Sequence, residues 1–323
     1  MRVFITARLP EEVLARIARE HSLEAYGEDR PIDREKLLAG IEGKDGLLCT
    51  LTDLIDVEVL ERAPGLKIIA NNGVGFNHID IEAATGRAIP VTNTPGVLTD
   101  STADLAFALM LATARRLIEG DRMTRSGKFE FWAPFHFLGQ DVSGKTLGLV
   151  GFGRIGKAVA RRSAGFDMQV IYYNRTRLEK DEEVRSGVRF APLDELLKKS
   201  DFVSLHVPLG PETRHLIGER ELAMMKSSAC LINTARGPIV DEISLVQALK
   251  QGHIRAAGLD VYENEPALAP GLAELENVVL LPHAGSATLE TRTRMAVMSA
   301  ENLLAGLRGE RPPNCLNWES IKR

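Results

Sequence analysis

The sequence predicts an α/β protein built on doubly wound parallel sheets, and three observations carry that expectation. Short apolar, β-branched runs alternate with helical stretches along most of the chain, as parallel strands with crossover helices require. At 145–162 the chain reads KTLGLVGFGRIGKAVARR, where a β-prone run meets Gly151, Gly153 and Gly156 and then a helical pattern. Polar residues also collect just after the later strand-like runs, the end at which such sheets gather their functional groups.

Length and composition narrow the class. The chain has 323 residues, enough for two ordinary domains. Its 44% hydrophobic and 26% charged residues are the balance of a soluble globular protein. A net charge of −4 and a pI near 6.0 argue against nucleic acid as a partner. The most apolar helical stretch, 103–114, is interrupted by Asp104 and too short to span a bilayer, so no membrane association is expected. The start, MRVFIT, runs directly into a strand pattern, so no signal peptide is expected. Cys49, Cys230 and Cys315 lie far apart with no ligand spacing, so no metal is expected, and a reduced, cytoplasmic setting fits.

In order, the first third reads as strand 3–6, helix 11–20, strand 46–50, helix 55–62, strand 66–70, helix 79–85 and a short strand Val91–Thr92. The turn-rich NNGVGFNH after residue 70 sits at a strand's C-terminal end. It is a candidate substrate contact or a plain connection, and the residues alone do not choose. A long helix is expected over 102–117, started by a Ser101-x-x-Asp104 capping box. Apolar residues surround most of it, which predicts burial between domains or subunits. The irregular 126–141 carries Phe129, Phe131, Trp132, Phe135 and Phe137 beside His136. Five aromatics need cover, which suggests a subunit contact or a pocket wall.

Beyond the glycine turn, strands are expected at 169–173, 201–207, 229–233, 256–261 and 278–281. Helices at 193–199, 219–225 and 243–251 separate most of them. RLEKDEEVR at 177–185 reads as a solvated helix face. A last helix, 288–307, ends at Gly309.

The glycine order G-x-G-x-x-G between strand and helix is a dinucleotide signature. Gly151 permits the tight turn, Gly153 lets a pyrophosphate approach, and Gly156 lets helix and strand pack closely. The helix start offers unpaired amides and a positive dipole end to phosphate oxygens. At the tip of the next strand, 18 residues beyond Gly156, stands Asn174. An acid about 20 residues on would bond the ribose of NAD. Here a neutral residue is followed by Arg175, Thr176 and Arg177, groups suited to a 2′-phosphate, and this favours NADP(H). Val207 and Pro208, then Thr234, Ala235 and Arg236, then Asp260, then His283 follow the remaining strands, so distant residues converge. Singly, an Arg, a Glu and a His have ordinary explanations. Together, Arg236, Glu265 and His283 can clamp a 2-oxo acid, orient an imidazole and protonate the developing alkoxide.

At these residues a resemblance enters. GFGRIG, NTARGPIVDE, GLDVYENEP and LLPHAGSAT together resemble the NAD(P)-dependent D-2-hydroxyacid dehydrogenases over essentially the whole chain. VGFNHIDIEAAT, NTPGVLTDSTADLAFALML, WAPFHFLG, YYNRTR and HAGSAT look most like the glyoxylate/hydroxypyruvate reductase branch. The resemblance implies a Rossmann nucleotide domain, 99–287, inserted into a discontinuous flavodoxin-like substrate domain, 1–98 with 288–323. The long helices near Thr102 and Thr288 would then lie at hinges. It implies Arg236, Glu265 and His283 as the catalytic set, with His283 the proton donor. The amides of Val74 and Gly75, near Leu51, would hold the substrate carboxylate. Gly151, Gly153, Arg154, Ile155 and Gly156 would cradle the phosphates, with Asn174, Arg175 and Thr176 at the adenosine end. Thr102, Val207, Pro208, Thr234 to Arg236, Asp260, His283 and Gly285 would complete the cofactor lining. Trp132 would reach the neighbouring active site in a homodimer.

The cofactor expected is NADP(H), with NAD(H) possible, and the substrate a small 2-oxo or 2-hydroxy acid. Phe76 and Asn77 stand where relatives often have Tyr and Asp, and Ala284 where Ile is frequent, which bears on specificity rather than on the catalytic groups. Another 2-oxo acid, such as 2-ketogluconate, and a nucleotide-sensing protein on the same fold are the competing readings.

Overall fold

The computed structural model describes residues 1–321 and divides into two units. The first comprises Met1–Leu98 and the chain from Ala287 onward; the second is Thr99–Ser286.

In the first unit the elements are β1 (Arg2–Ile5), α1 (Glu11–Ala18), β2 (Ser22–Ala25), α2 (Arg34–Ile41), β3 (Gly46–Cys49), α3 (Val57–Arg62), β4 (Ile68–Asn71), α4 (Ile81–Gly86) and β5 (Val91–Thr92). The five strands form one parallel sheet in the order β2-β1-β3-β4-β5. Strand alternation divides its core cleanly, because successive side chains leave opposite faces. Phe4, Leu47, Cys49 and Ile69 pack with α2, α3 and α4, whereas Val3, Ile5, Leu48, Ile68 and Ala70 pack with Val13 and Ile17 of α1. Each fully buried aliphatic side chain stabilises the fold by about 1.5–3 kcal/mol. The strand β2 and helix α2 lie outside the sequence expectation. The edge strand (SLEA) buries no residue completely, and only Leu37 and Ile41 of α2 are buried, so neither shows a strong apolar period.

The second unit opens with α5 (Thr99–Ala114) and α6 (Leu117–Arg125). It continues with β6 (Thr146–Val150), α7 (Arg154–Ser163), β7 (Gln169–Tyr173), α8 (Lys180–Ser186), β8 (Val188–Phe190) and α9 (Leu193–Lys199). It closes with β9 (Phe202–Leu205), α10 (Glu219–Met224), β10 (Cys230–Asn233), α11 (Glu242–Lys250), β11 (Ala256–Leu259) and β12 (Val278–Leu280). Seven parallel strands run in the order β12-β11-β10-β9-β6-β7-β8. The order reverses between β6 and β9, which places the ligand-binding crevice of such a sheet beside the glycine turn. The final helix, α12 (Leu289–Leu307), belongs to the first unit. Its Ala296, Ala300, Leu303 and Leu307 cover the β1-β3-β4 face, and the Thr288 hydroxyl caps its start by accepting from Thr291 N.

Three expectations are corrected here. Ser101 does not cap a helix: α5 begins at Thr99, Ser101 lies in its first turn, and its hydroxyl donates to Gly285 O at 2.8 Å. The helix also stops at Ala114, because Gln140 N takes the Ala114 carbonyl and Arg116 turns left-handed before α6. The burial of α5 is met within its own unit, where small Ala103, Ala106 and Ala114 let it sit close to Ile232, Val279 and Ala158.

The run 177–185 is not simply a solvated face. Glu183 is buried, accepting from the Tyr172 hydroxyl and from both Arg177 Nε and Nη2. The aromatic segment is the reverse case: Trp132 is 78% and Phe135 87% exposed, so the chain itself does not cover them. Phe137 finds a partner, with the Arg116 guanidinium 4.2 Å from its ring centre. Among the described residues no helix is long and apolar enough to cross a membrane.

Candidate active site

The glycine turn shows why its residues lack side chains. Gly151 has φ +96°, and an added Cβ would lie 2.6 Å from the His206 carbonyl carbon. At Gly156 a Cβ would meet Gly151 O at 2.3 Å, whereas at Gly153 it would meet nothing within 4 Å. Packing therefore demands two of the glycines, and the third opens the space in which a pyrophosphate would lie. Helix α7 starts at Arg154 and Ile155 with no side chain capping its first amides, so they are available to phosphate oxygens. The residues present fit a dinucleotide.

Asn174, at the tip of β7, accepts from Phe152 N at 2.7 Å and so braces the turn itself. The next residues separate in character. Arg175 and Thr176 are exposed, and Arg175 pairs with Glu212 at 3.0 Å. Arg177 is engaged by Glu183, which removes it from the group of residues suited to a 2′-phosphate. Val207 and Pro208 follow β9, where His206 N donates to Val150 O. The His206 ring bonds Ser204 Oγ, and burial pushes its pKa down to about 4.

A second cluster forms at the ends of β10, β11 and β12. Thr234, Ala235 and Arg236 leave β10, and the Thr234 hydroxyl is buried without a hydrogen-bond partner among the described residues. Asn233 bridges this exit, donating from Nδ2 to Arg236 O and accepting from Ala235 N. Burial pushes the Arg236 guanidinium below its ordinary value, and Glu265 opposes the shift. Asp260, at the end of β11, accepts from Ala284 N at 2.6 Å and Gly285 N at 2.8 Å, while its own carbonyl accepts from His283 N. Burial raises its pKa against those amide bonds. It presents no free carboxylate; it clasps the His283–Gly285 loop. Ser101 and Thr102 hold the far side through Gly285 O. His283 itself sits at φ +54°, a left-handed conformation that this clasp maintains.

His283 Nδ1 lies 2.8 Å from Glu265 Oε2, and Tyr262 N donates to Glu265 Oε1. A carboxylate only accepts, so Nδ1 carries the proton of that bond. Burial raises the Glu265 pKa, but the His283 bond and charge, the Tyr262 amide and Arg236 outweigh it and hold the carboxyl below its ordinary value.

Leu51, Val74 and Gly75 belong to the first unit, on the loops after β3 and β4. Trp132 stands on the exposed segment. Asn71 and Asn93 open the stretches NNGVGFNH and NTPGVLTDSTADLAFALML but are not among the expected site residues, and Asp53 lies in neither; all three are buried and hold those first-unit loops through hydrogen bonds. Their one visible signal is a polar residue standing at or just beyond a strand end.

A doubly wound sheet with this glycine turn at its switch point, and a histidine–carboxylate pair at neighbouring strand ends, defines a nicotinamide-dependent oxidoreductase. Residues 107–285 match the family model for the D-isomer specific 2-hydroxyacid dehydrogenase, NAD binding domain. The chain is 52% identical over 324 residues to a glyoxylate reductase of Korarchaeum cryptofilum, covering 99% of this chain and 97% of that one. It is 52% identical over 325 residues to a glyoxylate reductase of Thermococcus litoralis, covering 99% and 98%.

Among solved structures, a Thermus thermophilus protein matches with a TM-score of 0.91 at 49% identity, over 98% of this chain and 100% of that one. An NADPH-dependent glyoxylate/hydroxypyruvate reductase from Sinorhizobium meliloti, in complex with NADP and malonate, matches at 0.86 and 31% identity, over 100% and 98%. The chain belongs to the NAD(P)-dependent D-2-hydroxyacid dehydrogenases, in their glyoxylate reductase branch.

Proposed function

We propose that this enzyme reduces glyoxylate and hydroxypyruvate to glycolate and D-glycerate, preferring NADPH, with His283 as the proton donor. The observation that carries the reading is the His283–Glu265 bond at 2.8 Å on the exit of β12. With Nδ1–H given to the carboxylate, Nε2 is the ring nitrogen left to hold and deliver a proton. Glu265 orients the ring through that bond. Arg236, partly desolvated, gains most from an anion, and the substrate carboxylate offers one while the guanidinium polarises the ketone. The amides of Val74 and Gly75, near Leu51, are the first unit's groups assigned to a substrate carboxylate. When bound, the nicotinamide supplies the hydride that reduces the keto carbon.

Gly151 to Gly156 hold the phosphates, and Asn174, Arg175 and Thr176 the adenosine end. Thr102, Val207, Pro208, Thr234, Ala235, Asp260 and Gly285 position the rest. The absence of an acid after β7 and the exposure of Arg175 and Thr176 support NADPH over NADH. The first unit then serves the substrate and the second the nucleotide. The exposed aromatics around Trp132 supply the contact of a homodimer. Replacing His283 or Arg236 by Ala tests the assignment: both variants should fold yet lose turnover of glyoxylate, and near-normal rates in either would overturn it.

A further inference from the structure

We propose that Asn71 and Asn93 are positioning residues for the substrate carboxylate. They hold the carbonyls of the 73–75 segment so that the neighbouring amides stay available to an anion. The proposal rests on the reading that gives Val74 and Gly75 amides the carboxylate.

Asn71 closes β4 and is fully buried. Its Nδ2 donates to Gly75 O at 2.9 Å and to Gly73 O at 3.2 Å. Asn93, just after β5 and also buried, donates from Nδ2 to Val74 O at 2.9 Å. Thr94 N adds a second bond to Gly73 O at 2.9 Å. Three successive carbonyls are thus taken by donors from the fold. Among the described residues, the amides of Val74, Gly75 and Phe76 donate no hydrogen bond. A stretch whose acceptors are consumed and whose amides are left over carries a positive local field, the property of an anion-binding nest.

The two side chains have what this requires. A peptide unit at such a loop can rotate and exchange the places of its C=O and N–H. An anchored carbonyl cannot, so each asparagine fixes an amide through the carbonyl it holds. Asn71 Oδ1 is buried with no partner among the described residues. The residue therefore carries an unsatisfied acceptor in order to place its two donors, which no aspartate or apolar side chain supplies. Asn93 is fixed in turn, since its amide donates to Asn314 O and its carbonyl accepts from Asn302 Nδ2.

The test is steady-state kinetics of Asn71→Leu and Asn93→Leu, two near-isosteric variants on different strand exits, each checked by thermal melting. In a folded variant, KM for glyoxylate should rise about tenfold or more while kcat and KM for NADPH stay within about threefold, the signature of lost ground-state binding. Oxalate inhibition should weaken in parallel. The Asn93 variant keeps the test readable if Asn71→Leu does not fold. Unchanged KM for glyoxylate, or a joint loss of kcat and of NADPH affinity, would overturn the positioning role. A wild-type enzyme inert toward every 2-oxo acid would instead overturn the underlying reading, and the proposal with it.

Discussion

Glu265 has no idle oxygen: Tyr262 N donates to Oε1 and His283 Nδ1 to Oε2. The imidazole is thus fixed in tautomer and direction, and the remaining nitrogen is aimed by the fold rather than by chance. Glu265→Gln keeps the shape but removes the charge. We expect it to lower kcat about 10- to 100-fold, less than removing His283, which in the proposed mechanism would forfeit general acid catalysis worth about 10²–10⁴. Equal kcat for Glu265→Gln and wild type in a stopped-flow or steady-state assay would show that the bond is ornamental. This pair was readable from the chain because the two motifs ENEP and LPHAGSAT stand after successive strands. The work of Ser101 and Asn174 was not readable. Both are common cap or turn residues, and only the folded chain shows one bonded to Gly285 O and the other to Phe152 N.

At the scale of elements, β7 and α8 carry two separable properties. The tip of β7 presents Arg175, whose partner Glu212 is itself exposed, so that ion pair contributes little. Arg175→Ala should raise KM for NADPH about tenfold and leave NADH nearly unchanged. An equal loss for both cofactors, measured side by side, removes the 2′-phosphate role.

Behind the tip, Glu183 is lowered to about 2 by the Arg177 bond and then by the Tyr172 hydroxyl, whose own pKa burial and Glu183 push up to about 12. A depressed carboxyl contributes stability that is complete above its unfolded value of about 4.5 and is lost as pH falls through the folded one. Glu183→Gln should therefore melt below wild type at pH 7, with the gap narrowing between about pH 4.5 and about pH 2. A gap that stays constant with pH would contradict the linkage. RLEKDEEVR hid this because charge patterning records which residues are polar and not which one tucks under an aromatic hydroxyl. For the same reason the weakly patterned β2 and α2 escaped notice, whereas Gly151 and Gly156 announced themselves through packing that admits no Cβ.

For the whole molecule, two parallel-sheet units were legible from strand–helix alternation and from the glycine turn. The cover for Phe129, Phe131, Trp132 and Phe135 was not, because the chain leaves all four exposed. An apolar patch of that kind on a folded enzyme marks a contact with another surface. If the proposed second copy covers it, Trp132→Asp with Phe135→Asp should weaken self-association in sedimentation velocity. An unaltered oligomeric state would dismiss the segment as the interface.

The central claim is that Arg236, Glu265 and His283 reduce a small 2-oxo acid with NADPH. Oxidation of NADPH by the purified enzyme, followed in parallel with glyoxylate, hydroxypyruvate, 2-ketogluconate and a bulkier 2-oxo acid, tests it most directly. The account predicts rapid turnover of the first two, with kcat/KM higher for NADPH than for NADH. Tight NADPH binding without turnover of any oxo acid would contradict it and make the protein a nucleotide sensor.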